Sequence, residues 1–122
     1  MSDSIRLSSV TLNCPDAATL AEFYAAITGG KITFSHPTFA TLHSQGGRID
    51  FQTVERYLAP SWPDESSLIH LDFLVDDLVA TEARVLANGA TRFEVQPNSD
   101  HCLVFADPAS HPFCLTTLDE LG

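Results

Sequence analysis

The 122-residue sequence predicts an α+β protein built from two tandem βαβββ modules. Three observations predict it. Offset by about 60 residues, the chain repeats itself: SVTLNCPD, Ser9 to Asp16, aligns without a gap on HLDFLVDD, His70 to Asp77. Each copy is followed by one helical stripe and then by three short β-type runs. Apolar residues at 44% and charged residues at 18% suffice for a packed core. The length suits a single domain, 1–122, with module 1 at about 5–54, a connector at 55–67 and module 2 at about 68–119.

Both copies of the repeat read as an alternating strand that ends on an acidic helix cap, Asp16 or Asp77. After Asp16, Leu20, Phe23, Tyr24 and Ile27 form an i, i+3, i+4, i+7 stripe, and Gly29-Gly30 stops it. After Asp77, Leu78, Val79, Ala83, Val85 and Leu86 predict the second helix, stopped by Asn88-Gly89. The strands that follow are expected at Lys31–Ser35, Phe39–His43 and Arg48–Val54, then at Thr91–Val95, Cys102–Ala106 and Pro112–Leu118. Gly46-Gly47 and Asp107-Pro108 mark the last turn of each module. The 13-residue connector contains Pro60 and Pro63, which suit an ordered linker, and the lone Trp62.

Alternation splits each strand into two chemically distinct faces. Val10, Leu12, Cys14, Ile49, Phe51, Ile69, Leu71, Phe73, Val75, Phe113 and Leu115 make the face expected to meet the helices. The opposite face carries Ser9, Thr11, Asn13, Asp50, Gln52, His70, Asp72, Cys114 and Thr116. With no lysine or arginine among them, these residues read as the lining of a sheltered polar cavity and are the candidate ligand contacts, with Trp62 at its rim. His36, His101 and His111 fall in turns, while His43 closes a strand near the cavity. Arg48 and Arg56 read as ion-paired surface arginines, or as holders of an anionic group.

The formal charge is −10, from six basic and sixteen acidic residues. It excludes nucleic acid and anionic membrane as partners. Residues 1–61 have net charge −1 and residues 62–122 have −9, so the acidity lies in the second module and suits a cationic ligand. No apolar run reaches membrane-spanning length and no secretory leader is evident, which leads to the expectation of a cytoplasmic protein. Cys14, Cys102 and Cys114 are odd in number and lack metal-site spacing, so reduced thiols are expected.

The segments VTLNCPDAATLAEFYAAITGG, HLDFLVDDLVATEARVLANGA and FADPASHPFCL resemble the vicinal oxygen chelate superfamily, which includes glyoxalase I, bleomycin-resistance proteins and extradiol dioxygenases. The wording HLDFLVDD and HPFCL is most similar to its glyoxalase-like proteins of unassigned activity. The resemblance implies a bowl-like mixed sheet with the helices outside, and a homodimer. It places the metal-ligand positions of metal-dependent members on Ser9, Asp50, His70 and Cys114. Only His70 is a usual ligand there; Cys114 stands where a glutamate would close the set. A glyoxalase-type reaction, as the family is understood, needs a metal and carboxylate bases. The resemblance thus implies a binding protein without a catalytic metal, holding an unidentified small molecule, and the acidity suits a cationic one. Its alternative is a divalent-metal-dependent lyase, isomerase or dioxygenase using Asp50, His70 and Cys114.

Overall fold

A computed structural model describes residues 4–66 and 68–117, and the chain divides into two compact units, Met1–Tyr57 and Leu58–Gly122. Connector residue Ser67 and the expected strand end at Leu118 lie outside the described residues.

The first unit runs β1 (Val10–Cys14), α1 (Ala17–Thr28), β2 (Lys31–His36), β3 (Phe39–Ser44) and β4 (Gly47–Thr53). Its sheet has the order β1-β4-β3-β2, with β1 parallel to β4 and the other pairs antiparallel. Helix α1 starts where the Asp16 carboxylate accepts from the Thr19 N–H at 3.3 Å. It ends at Gly29, whose φ of 74° is open to glycine at little cost and lets its N–H donate to the Ala25 carbonyl. The stripe Leu20, Phe23, Tyr24 and Ile27 is buried as expected. Tyr24 stacks on Phe51 of β4 at 5.7 Å, which fixes the helix over the face of Ile49 and Phe51. Thr53 closes the joint: its hydroxyl accepts from the Ala17 N–H and donates to the Pro37 carbonyl. The Asp16→Ala variant should lose about 1 kcal/mol, read by urea unfolding. An unchanged midpoint would show that the cap is dispensable.

The second unit repeats the plan with β5 (Leu71–Leu74), α2 (Leu78–Ala87), β6 (Thr91–Arg92), β7 (Cys102–Ala106) and β8 (Pro112–Thr116). Its sheet order is β5-β8-β7-β6, with β5 parallel to β8. Together the units are two βαβββ modules of mixed sheet and helix, as expected. Asp77 caps α2 through the Ala80 N–H at 3.1 Å, the counterpart of Asp16. The core is aromatic: Phe113 meets Phe73 edge-on at 6.0 Å and stacks on Phe105 at 5.7 Å.

Three details differ from the sequence reading. The first strand of this unit begins at Leu71 rather than Ile69, which is 84% exposed. In α2 only Val85 is buried, while Val79 and Leu86 face solvent. The stripe through Val85 runs back by seven residues to half-buried Leu78, and Val79 and Leu86 lie one residue further round. Finally, β6 stops at Arg92 instead of Val95. The Gln96 side chain takes the place of its missing residues, accepting from the Val104 N–H at 2.9 Å and donating to the Val104 carbonyl at 2.9 Å. It also reaches the Phe93 carbonyl at 2.8 Å.

Candidate functional site

In the second sheet, parallel register sets Asp72 of β5 directly beside Cys114 of β8, with Val104 of β7 on the other side. The next row along is Leu74, Thr116 and Cys102. His70 precedes β5 by one residue, and its Nε2 lies 3.2 Å from Asp72 Oδ1. One ligand atom from each of His70, Asp72 and Cys114 falls within 4.8 Å of the others. The floor and rim of this cluster differ. Cys114 and Thr116 are buried, whereas the Asp72 side chain is 58% exposed and that of His70 is 42% exposed. Burial pushes the Cys114 thiol up to about 12, and the charge of Asp72, its hydrogen bond and Cys102 add to the rise. At neutral pH the group is therefore a protonated donor and not a nucleophilic thiolate. Cys102 is occupied with the Thr116 hydroxyl at 3.3 Å.

The first sheet treats its acidic residue differently. Asp50 is 4% exposed, and its carboxylate is gripped by Arg48 through Nε at 3.0 Å and Nη2 at 2.9 Å. The Ser9 hydroxyl donates to the same carboxylate at 2.8 Å. Burial alone would raise the Asp50 carboxyl. Hydrogen bonds from Arg48, Ser9 and Thr41, with the guanidinium charge, outweigh it and hold the group below its ordinary value. Arg48 lies two residues before Asp50 and so shares its face, which corrects the expectation that this face has no arginine. Thr11, Asn13 and Gln52, expected as the lining of a sheltered cavity, are exposed on β1 and β4 within the first unit. Trp62 is half-buried, its ring 4.8 Å from that of Phe93.

The remaining histidines and thiol have structural partners or lie at the surface. His111 Nδ1 is 2.8 Å from Asp107 Oδ2, and Asp107 also accepts from the N–H groups of Ala109 and His111. This carboxylate organises the β7–β8 turn, where Ser110 takes a φ of 74°. His36 bonds Thr38 in the β2–β3 turn, and His43 and His101 are exposed. Cys14 is buried, with its sulfur 3.6 Å from the Gln52 carbonyl. None of the three cysteines is in a disulfide. No helix among the described residues is long and apolar enough to cross a membrane.

His70, Asp72 and Cys114 offer imidazole nitrogen, carboxylate oxygen and sulfur, a donor set that fits a divalent ion of borderline softness. Asp72 takes part here because parallel register puts it next to Cys114. Its presence as a third donor was not apparent in the sequence; the signal was alternation from His70 combined with the pairing of the strands. Asp50, in contrast, has both carboxylate oxygens engaged by Arg48.

A family model described as a glyoxalase-like domain matches residues 9–116. No curated protein matches the chain. Among solved structures, the chain is similar to a glyoxalase/bleomycin resistance protein/dioxygenase family enzyme from Burkholderia phytofirmans PsJN, at 21% identity and a TM-score of 0.71, covering 91% of this chain and 97% of that one. It is also similar to the fosfomycin resistance protein FosX from Mesorhizobium loti, at 17% identity and a TM-score of 0.69, covering 97% and 94%. FosX from Listeria monocytogenes, solved as a mutant with Mn(II) and 1S,2S-dihydroxypropylphosphonic acid, aligns at 18% identity and a TM-score of 0.68 over 96% and 91%. At these identities the structures support the fold alone, while the family model spans most of the chain. Together with the duplicated βαβββ plan, that match makes this chain a member of the glyoxalase-like family within the vicinal oxygen chelate superfamily.

Proposed function

We propose that the protein binds a small molecule on the polar strand faces of its sheets without a catalytic metal, in the manner of bleomycin-resistance-type proteins. The observation that carries this reading is the cluster of buried Cys114 and Thr116 beneath exposed Asp72 and His70. A protonated thiol and a hydroxyl supply short-range polar contacts, and the open carboxylate supplies charge. The other acidic residue of the polar set, Asp50, is bonded by Arg48 and Ser9 and held below its ordinary value, which makes it a poor proton acceptor. Such a set recognises a ligand more readily than it moves protons. Exposed Asp72 favours an amine-bearing or otherwise cationic molecule, with Trp62 a further contact in the same unit; Thr11, Asn13 and Gln52 are the candidate contacts on the polar face of the first unit. It includes a homodimer in the cytoplasm, checked by light scattering and by fractionation.

The test is a thermal-shift and calorimetric comparison of amine-bearing compounds with their neutral isosteres. Replacing Asp72 with Asn should weaken an amine by roughly tenfold and leave the neutral isostere unchanged. Equal losses for both compounds, or stabilisation by neutral compounds only, would remove the carboxylate from the recognition.

A second reading rests on the same cluster. His70, Asp72 and Cys114 would hold a divalent ion, which when bound supplies a Lewis acid for a substrate oxygen. The chain's own part would be to fix the ion at the sheet face and to orient a ligand through Thr116. Titration with Zn(II) and Mn(II), followed by desalting and metal analysis, separates the two readings. One retained equivalent that is lost in His70→Ala supports the metal-dependent protein; no retained metal supports the metal-free one.

A further inference from the structure

The face of the first sheet that carries Asp50 has a charge opposite to that of the whole chain. Lys31 of β2 pairs in register with His43 of β3, and His43 with Arg48 of β4. Registered neighbours project to the same side, so the three side chains form one row across three strands, about 10 Å wide at the usual strand spacing. Pairing puts Thr41 beside Asp50 in the next row, then Phe39 beside Gln52. Asp50 is thus the one acidic residue on the β2–β4 part of this face, in a chain of net charge −10.

The members of the row are differently held. Arg48 is fixed by its two hydrogen bonds to Asp50, and its side chain remains 38% exposed. Lys31 and His43 are exposed, and among the described residues neither makes a side-chain hydrogen bond or ion pair. The two cations Lys31 and Arg48 flank His43, and no carboxylate lies within the row. A rigid guanidinium beside two unengaged nitrogen-bearing side chains is an arrangement that an oxyanion would complete, since it accepts from several donors at once.

We propose that Lys31, His43 and Arg48 form a binding site for an oxyanion group, a phosphate, sulfate or carboxylate, on the polar face of the first unit. The site goes beyond the reading above, which depends on Asp72 and concerns a cationic group. Arg48 supplies fixed charge, and Lys31 and His43 close on the anion from the adjoining strands.

The experiment is a titration of the full chain with inorganic phosphate at low ionic strength, followed by amide NMR and calorimetry. Saturable shifts confined to the strands around residues 31, 43 and 48 are expected, and added sodium chloride should weaken the binding. Lys31→Met and His43→Gln should each weaken phosphate by at least about threefold, and Lys31→Glu should abolish binding. Both substituted positions carry exposed side chains, and circular dichroism would confirm that the variants remain folded. Shifts that do not saturate, that centre on other residues, or that persist unchanged in Lys31→Glu would overturn the proposal. The Asp72→Asn comparison is independent of these outcomes, so failure of either site leaves the other standing.

Discussion

The Arg48→Met variant should lose roughly 5–10 °C of thermal stability at pH 7, and that loss should shrink as the pH falls below the ordinary carboxylate range. In the native protein the Asp50 carboxyl is held below its ordinary value, so its contribution to stability is present above the unfolded carboxylate range and is lost as the pH falls through the folded value. Without the guanidinium, burial acts against the charged form and is opposed only by Ser9 and Thr41. The folded carboxyl is then held down less than in the native protein, so this group contributes less stability above the carboxylate range, while at low pH, where the carboxyl is protonated in both proteins, nothing is lost. Melting curves of both proteins from about pH 2 to 7.5 test this, with the gap closing at the acid end. A gap independent of pH would mean that Arg48 acts through packing of its stem. Arg48→Lys should recover only part of the loss, because an ammonium cannot reproduce the two-pronged grip on both carboxylate oxygens.

Gln96→Leu should cost about 2 kcal/mol, because it leaves the buried Val104 N–H without its acceptor. The Val104 carbonyl retains a second donor, the Phe93 N–H at 3.2 Å, so the loss falls mainly on the donor side. Urea unfolding gives the size of the effect, and hydrogen exchange gives its location. Exchange at the Val104 amide should accelerate well beyond any change at the Leu42 amide in the other unit. Uniform acceleration throughout the second unit, with no excess at Val104, would reduce Gln96 to a general packing residue.

How much of this was legible in the sequence depended on how local each cause is. The caps Asp16 and Asp77 act on N–H groups three residues away, and the stripe of α1 lies on one short helix, so both were readable from spacing. The shortened β6 was not readable, since the Gln96 side chain replaces strand residues by bonding main-chain atoms eight positions away. A hydrophobic pattern carries no sign of that exchange. In α2, Val79 and Leu86 were assigned to the core because short helices leave the angular position of a stripe poorly determined. The cluster at Cys114 was half visible: alternation put His70 and Asp72 on one face, but only the register of β5 on β8 makes Asp72 the immediate neighbour of the thiol. Arg48 obeyed the same alternation as Asp50. Its ion pairing was expected and is found, but its partner Asp50 went unnamed because Arg48 was not followed along β4.

The parallel pairing of β1 with β4 has a consequence for the safety of the fold. Strands β2, β3 and β4 are joined by short turns, whereas the Ser9–Asp50 hydrogen bond closes a span of 41 residues. Loop entropy makes that closure the expensive one. Until β1 docks, β4 presents a free edge seven residues long, with Ile49 and Phe51 among its side chains. An edge of that length and composition is a template for pairing with another chain. In the finished unit β1 occupies it, so a strand that supplies Thr11 and Asn13 to the polar face also guards the sheet against aggregation.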